Sequence, residues 1–377
     1  MDHTPRVSIV TALYNHRRFL RRRFESIVNQ TLTDFEWIII DDCSTDGSYE
    51  LVMELIQGDP RITVLRNDVN TGAMATKQRG IDLARGEYLY CVDSDDYCVS
   101  HFLARMIGIL ERNPAVALVH CRGFTMDEHD GYWGGWPRRK SYRQDGFSVF
   151  KCNLLQYQMK SSTIVYRNRW VQQLGSFWFL PTAGAWLTCG EDWFLSLCVC
   201  LMGEVVFIDE VLTYQRRHAT NISNDFTRQL DAVRCEVDNF LVIDELIARV
   251  PARYADQVED LRKAALGRMI RKQLRTIDRA RAQGLNAEAN ELNALICKYA
   301  CNLDFSQKER SRRPQLKQQC ELIVGKLIKT LTYRRLPPLS DWTRDCNCGA
   351  IALATSTSPT RMTQPSRSST AATPERD

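Results

Sequence analysis

Asp93, Asp95 and Asp96 put three carboxylates within four residues, just after the apolar run Tyr88–Val92. Like charges this close repel unless a cation neutralises them. Hard oxygen ligands of this kind suit Mg2+ or Mn2+ shared with the phosphates of a substrate. A capped surface turn is the reading that needs no ligand. Three other apolar runs also end in polar residues: Thr11-Ala12-Leu13-Tyr14-Asn15, then Asp41-Asp42-Cys43-Ser44-Thr45-Asp46-Gly47, then Asn70-Thr71-Gly72. Each is weak alone, and Asp46-Gly47 by itself is an ordinary turn. Further on, Gly190-Glu191-Asp192 sets two acids at the head of a helical pattern, where acids also favour a helix N-terminus. Gln215-Arg216-Arg217-His218 closes a strand pattern with a basic cluster.

The elements that must hold these residues are legible from periodicity. VSIVTAL (7–13), EWIIIDD (36–42), RITVLRN (61–67), EYLYCVDSDD (87–96) and VALVHCRGF (116–124) read as buried strands. Helical patterns separate them at 17–30, 48–57, 73–85 and 101–113. Continuous apolar strands alternating with helices predict an α/β fold with a mostly parallel sheet covered on both faces. In such sheets ligands bind beyond the carboxyl ends of the strands, where the polar motifs fall. Residues 128–160, with GYWGGWPRRK, break the rhythm. It resumes with SSTIVYR (161–167), a short helix around 170–174, the helix of GEDWFLSLCVCLMG (190–203) and strand material at 204–218. Asp225 to Leu336 reads as helical. After Pro337-Pro338 a Ser/Thr/Pro-rich tail reads as disordered. The expected units are therefore 1–224, 225–336 and 337–377.

The 377 residues are 44% hydrophobic and 25% charged, which excludes a fibre or a wholly disordered chain. No run is apolar enough to span a bilayer, and MDHTPRVSIV lacks a basic-then-apolar leader pattern. The 14 cysteines lack zinc-site spacing and read as reduced core thiols of a cytoplasmic protein. The net charge of +5 is unevenly spread. Residues 1–224 hold 24 Lys+Arg against 26 Asp+Glu, and 225–336 hold 22 against 15. The basic segment suits a solvated helix surface or an anionic partner. Within it, LIVGKLIKTLTYRRL (322–336) is an amphipathic stretch that either packs as an ordinary helix or lies on a membrane surface. Arg17, Arg18, Arg21, Arg22 and Arg23 read as a solvated helix face.

The ordered set VSIVTALYN, IIIDDCSTDGS, NTG, GEYLYCVDSDD and GED resembles the inverting, nucleotide-sugar-dependent glycosyltransferases of family 2, over roughly residues 5–224. The resemblance implies the GT-A fold, a nucleotide-diphosphate sugar over the carboxyl ends of the sheet, and Mn2+ or Mg2+ on its diphosphate. It assigns Ala12 and Tyr14 to cradling the nucleotide and Asp42 to hydrogen-bonding the base. Asp93 faces the ribose or metal, Asp95 binds the metal, and Asp96 shares that work. Asp192 matches the general base, with Glu191 holding the acceptor or orienting the base. His218 matches a basic position near the diphosphate. Where relatives commonly carry Ala-Arg-Asn after the N-x-G motif, this chain has Thr76-Lys77-Gln78. Lys77 supplies the cation without the planar fork of arginine.

The expected reaction moves a sugar, with a UDP-sugar favoured, to a saccharide or lipid-linked acceptor hydroxyl with inversion, in cell-surface polysaccharide or glycoconjugate synthesis. No nucleic-acid partner is expected, and peripheral contact with the inner face of the membrane would run through 322–336. Trp133, Trp136, Trp178, Trp186 and Trp193 either stack on a sugar ring or pack as core. Two other readings compete. A nucleotidyltransferase needs a glycine-rich phosphate loop after the first strand, and ALYNHRR has no glycine. A catalytically inactive sugar-nucleotide-binding protein would have no need for both the DxD acids and Asp192.

Overall fold

The computed structural model describes residues 3–175, 179–180, 185–186, 190–218, 242–287, 289–290 and 293–294. In chain order the elements are β1 (Val7–Leu13), α1 (Arg17–Val28), β2 (Phe35–Asp41), α2 (Ser48–Ile56), β3 (Ile62–Arg66), α3 (Ala73–Asp82) and β4 (Tyr88–Cys91). Then come β5 (Tyr97–Cys98), α4 (Phe102–Arg112), β6 (Val116–Met126), β7 (Tyr132–Gly135), β8 (Tyr142–Gln144), α5 (Gly146–Leu155), β9 (Ile164–Arg167) and α6 (Asn168–Leu174). The short pair β10 (Phe179–Leu180) and β11 (Ala185–Trp186), α7 (Glu191–Cys200), β12 (Glu204–Arg216), a helix α8 over 242–248 and α9 (Ala255–Ala282) complete the described chain.

The main sheet runs β3-β2-β1-β4-β9-β6-β12-β5. β3, β2, β1 and β4 pair in parallel, and so do β6 and β12. β9 runs antiparallel between β4 and β6. Two reversals restore direction, so β6 and β12 point the same way as β1 and β4. The carboxyl end of β12 therefore reaches the same sheet edge as the ends of β1, β2 and β4, although more than a hundred residues separate it from them. The expected α/β sheet is present, with parallel ladders carrying most of the pairing. The fourth strand is shorter than expected. It stops at Cys91, and Asp93–Asp96 form the turn that leads into β5.

Alternation within each strand builds two cores. Val7, Ile9 and Leu13 of β1 and Tyr88 and Tyr90 of β4 face α1, α2 and α4. Val10, Leu89 and Cys91 face α3, α5, α6 and α7. The same second core takes in Val242, Ile243 and Leu246 of α8 and Leu261, Ala265 and Ile277 of α9. Each such aliphatic side chain contributes on the order of 1.5–3 kcal/mol when fully buried. The described helices after residue 241 are thus packed onto the sheet's own core. At the α5–α7 crossing, a Cβ on Gly146 would collide with the backbone oxygens of Cys200 and Gly203, so only glycine lets these backbones approach.

Arg23 corrects the solvated-face expectation for the first helix. It lies on the stripe Phe19, Leu20, Arg23, Ile27 and is 1% exposed, between the rings of Trp37 and Tyr90 at 5.8 Å from each. Helical spacing forces that position inward whatever the residue type. Its neighbours behave as expected, with Arg18 paired to Glu128 and Arg22 to Asp130 at the surface. Among the described residues no cysteine is in a disulfide, and Cys91, Cys98, Cys121, Cys152, Cys198 and Cys200 are buried, as expected of core thiols. No described helix is long and apolar enough to cross a membrane. The stretch 322–336 and the tail 337–377 lie outside the described residues.

Candidate active site

The loops after β1 and β2 brace one another. Asn15 adopts a left-handed backbone (φ 52°), uncommon for a residue with a side chain. Its Oδ1 accepts the Thr45 N–H at 2.8 Å, and its own N–H donates to Ser44 Oγ. The His16 N–H donates to Ser48 Oγ, and Asp46 accepts the N–H groups of Arg17 and Ser48. The Asp46-Gly47 turn is therefore structural. Ala12, next to last in β1, is partly buried, and Tyr14 just beyond the strand is 46% exposed.

Asp42 holds the third loop. Its Oδ1 accepts the Thr71 N–H at 2.8 Å, Asn67 Nδ2 at 2.7 Å and Thr71 Oγ1 at 3.1 Å, while Oδ2 accepts the Gly72 N–H at 2.8 Å. Gly72 sits at φ 87°, a conformation that glycine adopts without strain. Burial alone would raise the Asp42 carboxyl. The Thr71 amide and the Asn67 and Thr71 side chains outweigh it and hold the group below its ordinary value.

The three carboxylates of the Asp93–Asp96 turn part company. Asp93 accepts Lys77 Nζ at 2.8 Å, from α3, and Ser161 Oγ at 3.0 Å, from the turn before β9. Burial pushes Asp93 up, but the Lys77 ammonium and the Ser161 hydroxyl bring it below its ordinary value. Asp95 is 7% exposed and meets His218 Nε2 at 3.0 Å through Oδ2. Asp96 turns the other way and accepts the backbone N–H of Arg216 at 2.9 Å. Burial and the carboxylates of Asp95 and Asp93 push Asp96 well above its ordinary value. Arg216 itself is a clamp. It binds the carbonyls of Asp95, Asp127 and Glu128, pairs with Asp130, and lies over the Phe19 ring.

Among the described residues, the group whose ligand atoms converge is His16, Asp95 and His218, all within 4.8 Å of one another. This differs from the Asp93–Asp95–Asp96 set expected from the sequence. Asp95 belongs to it, whereas Asp93 is engaged by Lys77 and Asp96 by β12. Two imidazoles and a carboxylate are a sound donor set for a divalent transition metal. His16 escaped the sequence reading because no spacing relates it to Asp95 or His218. Its one signal was its place in the loop after the first strand.

Asp192 lies in the first turn of α7. Oδ1 accepts the Trp193 N–H at 2.8 Å, and Oδ2 accepts Tyr157 O–H at 3.2 Å. Burial and the neighbouring Asp192 keep the Tyr157 phenol protonated and hence a donor. Buried Tyr166 of β9 lies in the field of both Asp192 and Lys77. Glu191 opens α7, and its side chain is outside the described residues. Of the tryptophans, Trp193 donates to the Asn153 carbonyl and Trp136 to Thr125 Oγ1, so both are anchored within the protein. Trp133 is 63% exposed on β7. Trp178 and the Trp186 side chain fall outside the described residues.

The fold is thus an α/β sheet with a carboxylate-bearing turn at its carboxyl edge, a histidine brought to that turn by a late strand, and an acid in the first turn of α7. Residues 8–166 match the family described as Glycosyl transferase family 2. An uncharacterized glycosyltransferase of Methanocaldococcus jannaschii is 33% identical over 127 residues, covering 33% of this chain and 44% of the relative. A putative colanic acid biosynthesis glycosyl transferase of Escherichia coli is 39% identical over 98 residues, covering 26% and 34%. A putative teichuronic acid biosynthesis glycosyltransferase of Bacillus subtilis is 31% identical over 128 residues, covering 34% and 50%. The chain thus spans half or less of the length of these relatives. Among solved structures, Staphylococcus aureus TarS 1-349 in complex with UDP aligns over 80% of this chain and 94% of its own, at 17% identity and a TM-score of 0.46. A Pyrobaculum calidifontis mannosyltransferase in complex with GDP-Man and Mn2+ aligns over 89% of each chain, at 15% identity and a TM-score of 0.48.

Proposed function

We propose that this chain transfers a sugar from a nucleotide-diphosphate sugar, a UDP-sugar by preference, to an acceptor hydroxyl with inversion. The setting is the assembly of a cell-surface polysaccharide or glycoconjugate. The observation that carries this reading is the meeting of Asp95 and His218 at the carboxyl edge of a family 2 domain, beside the Lys77–Asp93 pair. The curated relatives named for colanic acid and teichuronic acid biosynthesis support the polysaccharide setting.

In this mechanism the nucleotide lies over β1 and β2, with Tyr14 and Ala12 against it. Asp42 Oδ2 accepts the Gly72 N–H and has acceptor capacity for a base N–H as well. Lys77, reaching the site from α3, adds positive charge where phosphate oxygens would sit. Asp95 and His218 would hold a divalent cation, which when bound neutralises the charge that builds on the departing diphosphate. Displacement at the anomeric carbon passes through an oxocarbenium-like transition state, and the incoming hydroxyl must lose its proton as it attacks. Asp192, steadied by Tyr157, takes that proton, a role that typically contributes about 10²–10⁴-fold. A single displacement by one base gives inversion. Glu191, one residue ahead, orients the base or holds the acceptor.

The test is Asp192→Asn, assayed for transfer and for binding of UDP with Mn2+. Transfer falling by at least two orders of magnitude with diphosphate affinity unchanged supports the reading. Loss of both makes Asp192 structural and removes the base assignment. Diphosphate binding by the native chain with no transfer to any acceptor favours the inactive, sugar-nucleotide-binding alternative.

A further inference from the structure

We propose that His16 is a third protein ligand of the metal centre, making it a two-nitrogen, one-oxygen site that takes up Mn2+, Co2+ or Zn2+ before any nucleotide arrives and discriminates against Mg2+. The inference rests on the reading of Asp95 and His218 as metal-holding residues and goes beyond it in ligand set and metal preference.

Three observations carry it. First, a ligand atom of His16 lies within 4.8 Å of those of Asp95 and His218. Second, one nitrogen of the imidazole is held by a protein group, as is usual for a metal-bound histidine. Its Nδ1 meets Ser94 Oγ at 2.7 Å, and Ser94 is 2% exposed within the Asp93–Asp96 turn, so Nε2 is the nitrogen left for a cation. A partner on the second ring nitrogen is the usual device for fixing tautomer and ring orientation. The backbone beneath is equally fixed, by Ser48 and by the left-handed Asn15. Third, the two imidazoles meet edge to face at 5.5 Å, and both rest against the Phe19 ring, at 5.9 Å from His16 and 4.6 Å from His218. An aromatic wall behind the donors limits water on that side and lowers the local dielectric.

The preference follows from ligand chemistry. Mg2+ keeps several waters and is bound through one or two carboxylates plus substrate phosphates. Imidazole nitrogen favours first-row transition metals, and two of them beside one carboxylate move the site well away from an oxygen-only cage. With three protein donors the site need not wait for a diphosphate.

The experiment is calorimetric titration of the full chain with MnCl2, CoCl2 and MgCl2 in the absence of nucleotide. The visible spectrum of the Co2+ form serves as a second readout. His16→Ala, His16→Gln, Asp95→Asn and His218→Ala are compared, each checked for folding by its melting temperature. The expected result is nucleotide-free Mn2+ and Co2+ binding at least about tenfold tighter than Mg2+. Both His16 variants should weaken it by about tenfold or more and change the Co2+ spectrum. Folded His16 variants that bind Mn2+ as the native chain does, while Asp95→Asn and His218→Ala do not, overturn the His16 assignment and leave the metal centre standing. Binding that appears only when UDP is added has the same consequence. No binding by the native chain with or without UDP overturns both the inference and the metal reading beneath it.

Discussion

Lys77 Nζ lies 2.8 Å from Asp93 Oδ1, joining the first helical turns after the Asn-Thr-Gly loop to the carboxylate turn after β4. The Lys77 side chain is 8% exposed, and Asp93 is a charged partner of its ammonium. Removing one member of a buried pair strands the other, at a cost of about 3–5 kcal/mol in full burial. The larger exposure of Asp93 places this pair below that range. Lys77→Met is expected to destabilise the fold by about 1–3 kcal/mol and to weaken UDP binding by about tenfold. Lys77→Arg is expected to restore stability only in part, since a planar fork does not fit a site shaped for a point charge. Chemical denaturation and calorimetry read the two effects separately.

Asp42 also braces the loop after β3, with four hydrogen bonds converging on it from Asn67, Thr71 and Gly72. Because its folded carboxyl lies below its ordinary value, it contributes stability that is fully present above the unfolded value, near 3.8. That contribution is lost as pH falls through the folded value. Asp42→Asn is therefore expected to be less stable at pH 7 by about 1.5–3 kcal/mol and to show a shallower loss of stability below pH 4. Urea midpoints measured from pH 7 to pH 3 check it. Parallel curves for the two proteins would remove Asp42 as the acid-sensitive latch of the loop.

Arg23 is buried with no hydrogen-bond partner on Nε or either terminal nitrogen. Two aromatic rings at 5.8 Å offset part of the desolvation cost through their π faces. Methionine has a similar reach and no charge to desolvate. Arg23→Met is expected to leave stability unchanged or to raise it by about 1 kcal/mol. Arg23→Ala is expected to lower it by about 2–4 kcal/mol through the cavity left between Trp37 and Tyr90. A thermal melt that fell for Arg23→Met as far as for Arg23→Ala would mean that the charge itself is needed.

Tyr157 is 35 residues from Asp192 in sequence and donates to its Oδ2. As a positioning residue it should affect the chemical step more than donor binding. Tyr157→Phe keeps the ring and removes the hydroxyl. A hydrogen bond to a charged group contributes about 1.5–3 kcal/mol, so kcat should fall by roughly 10- to 100-fold with the donor KM little changed. Steady-state kinetics at saturating acceptor decide this. An equal rise in donor KM would place Tyr157 in donor binding instead.

The sequence by itself determined most strands and helices of residues 7–126, apart from the end of the fourth strand and β5, and set Asp42, Asp93 and Asp95 after strands and Asp192 at the head of a helix. Hydrophobic periodicity is local, and the polar residues at strand ends stand out against apolar runs, so both can be read without knowing what packs where. Residues 128–160 stayed illegible, because β7, β8 and α5 take their places from pairing with β6 and β12 and from packing on α7. Only the tertiary structure decided which acid meets which partner. Whether Asp95 or Asp96 faced a histidine depended on β12 running parallel to β6, which carries His218 to the turn after β4 across a separation of 123 residues. His16 entered the same cluster because its loop is pinned by the turn after β2. Arg23 went inward because a helix has one buried stripe, and its position on that stripe outweighed its charge.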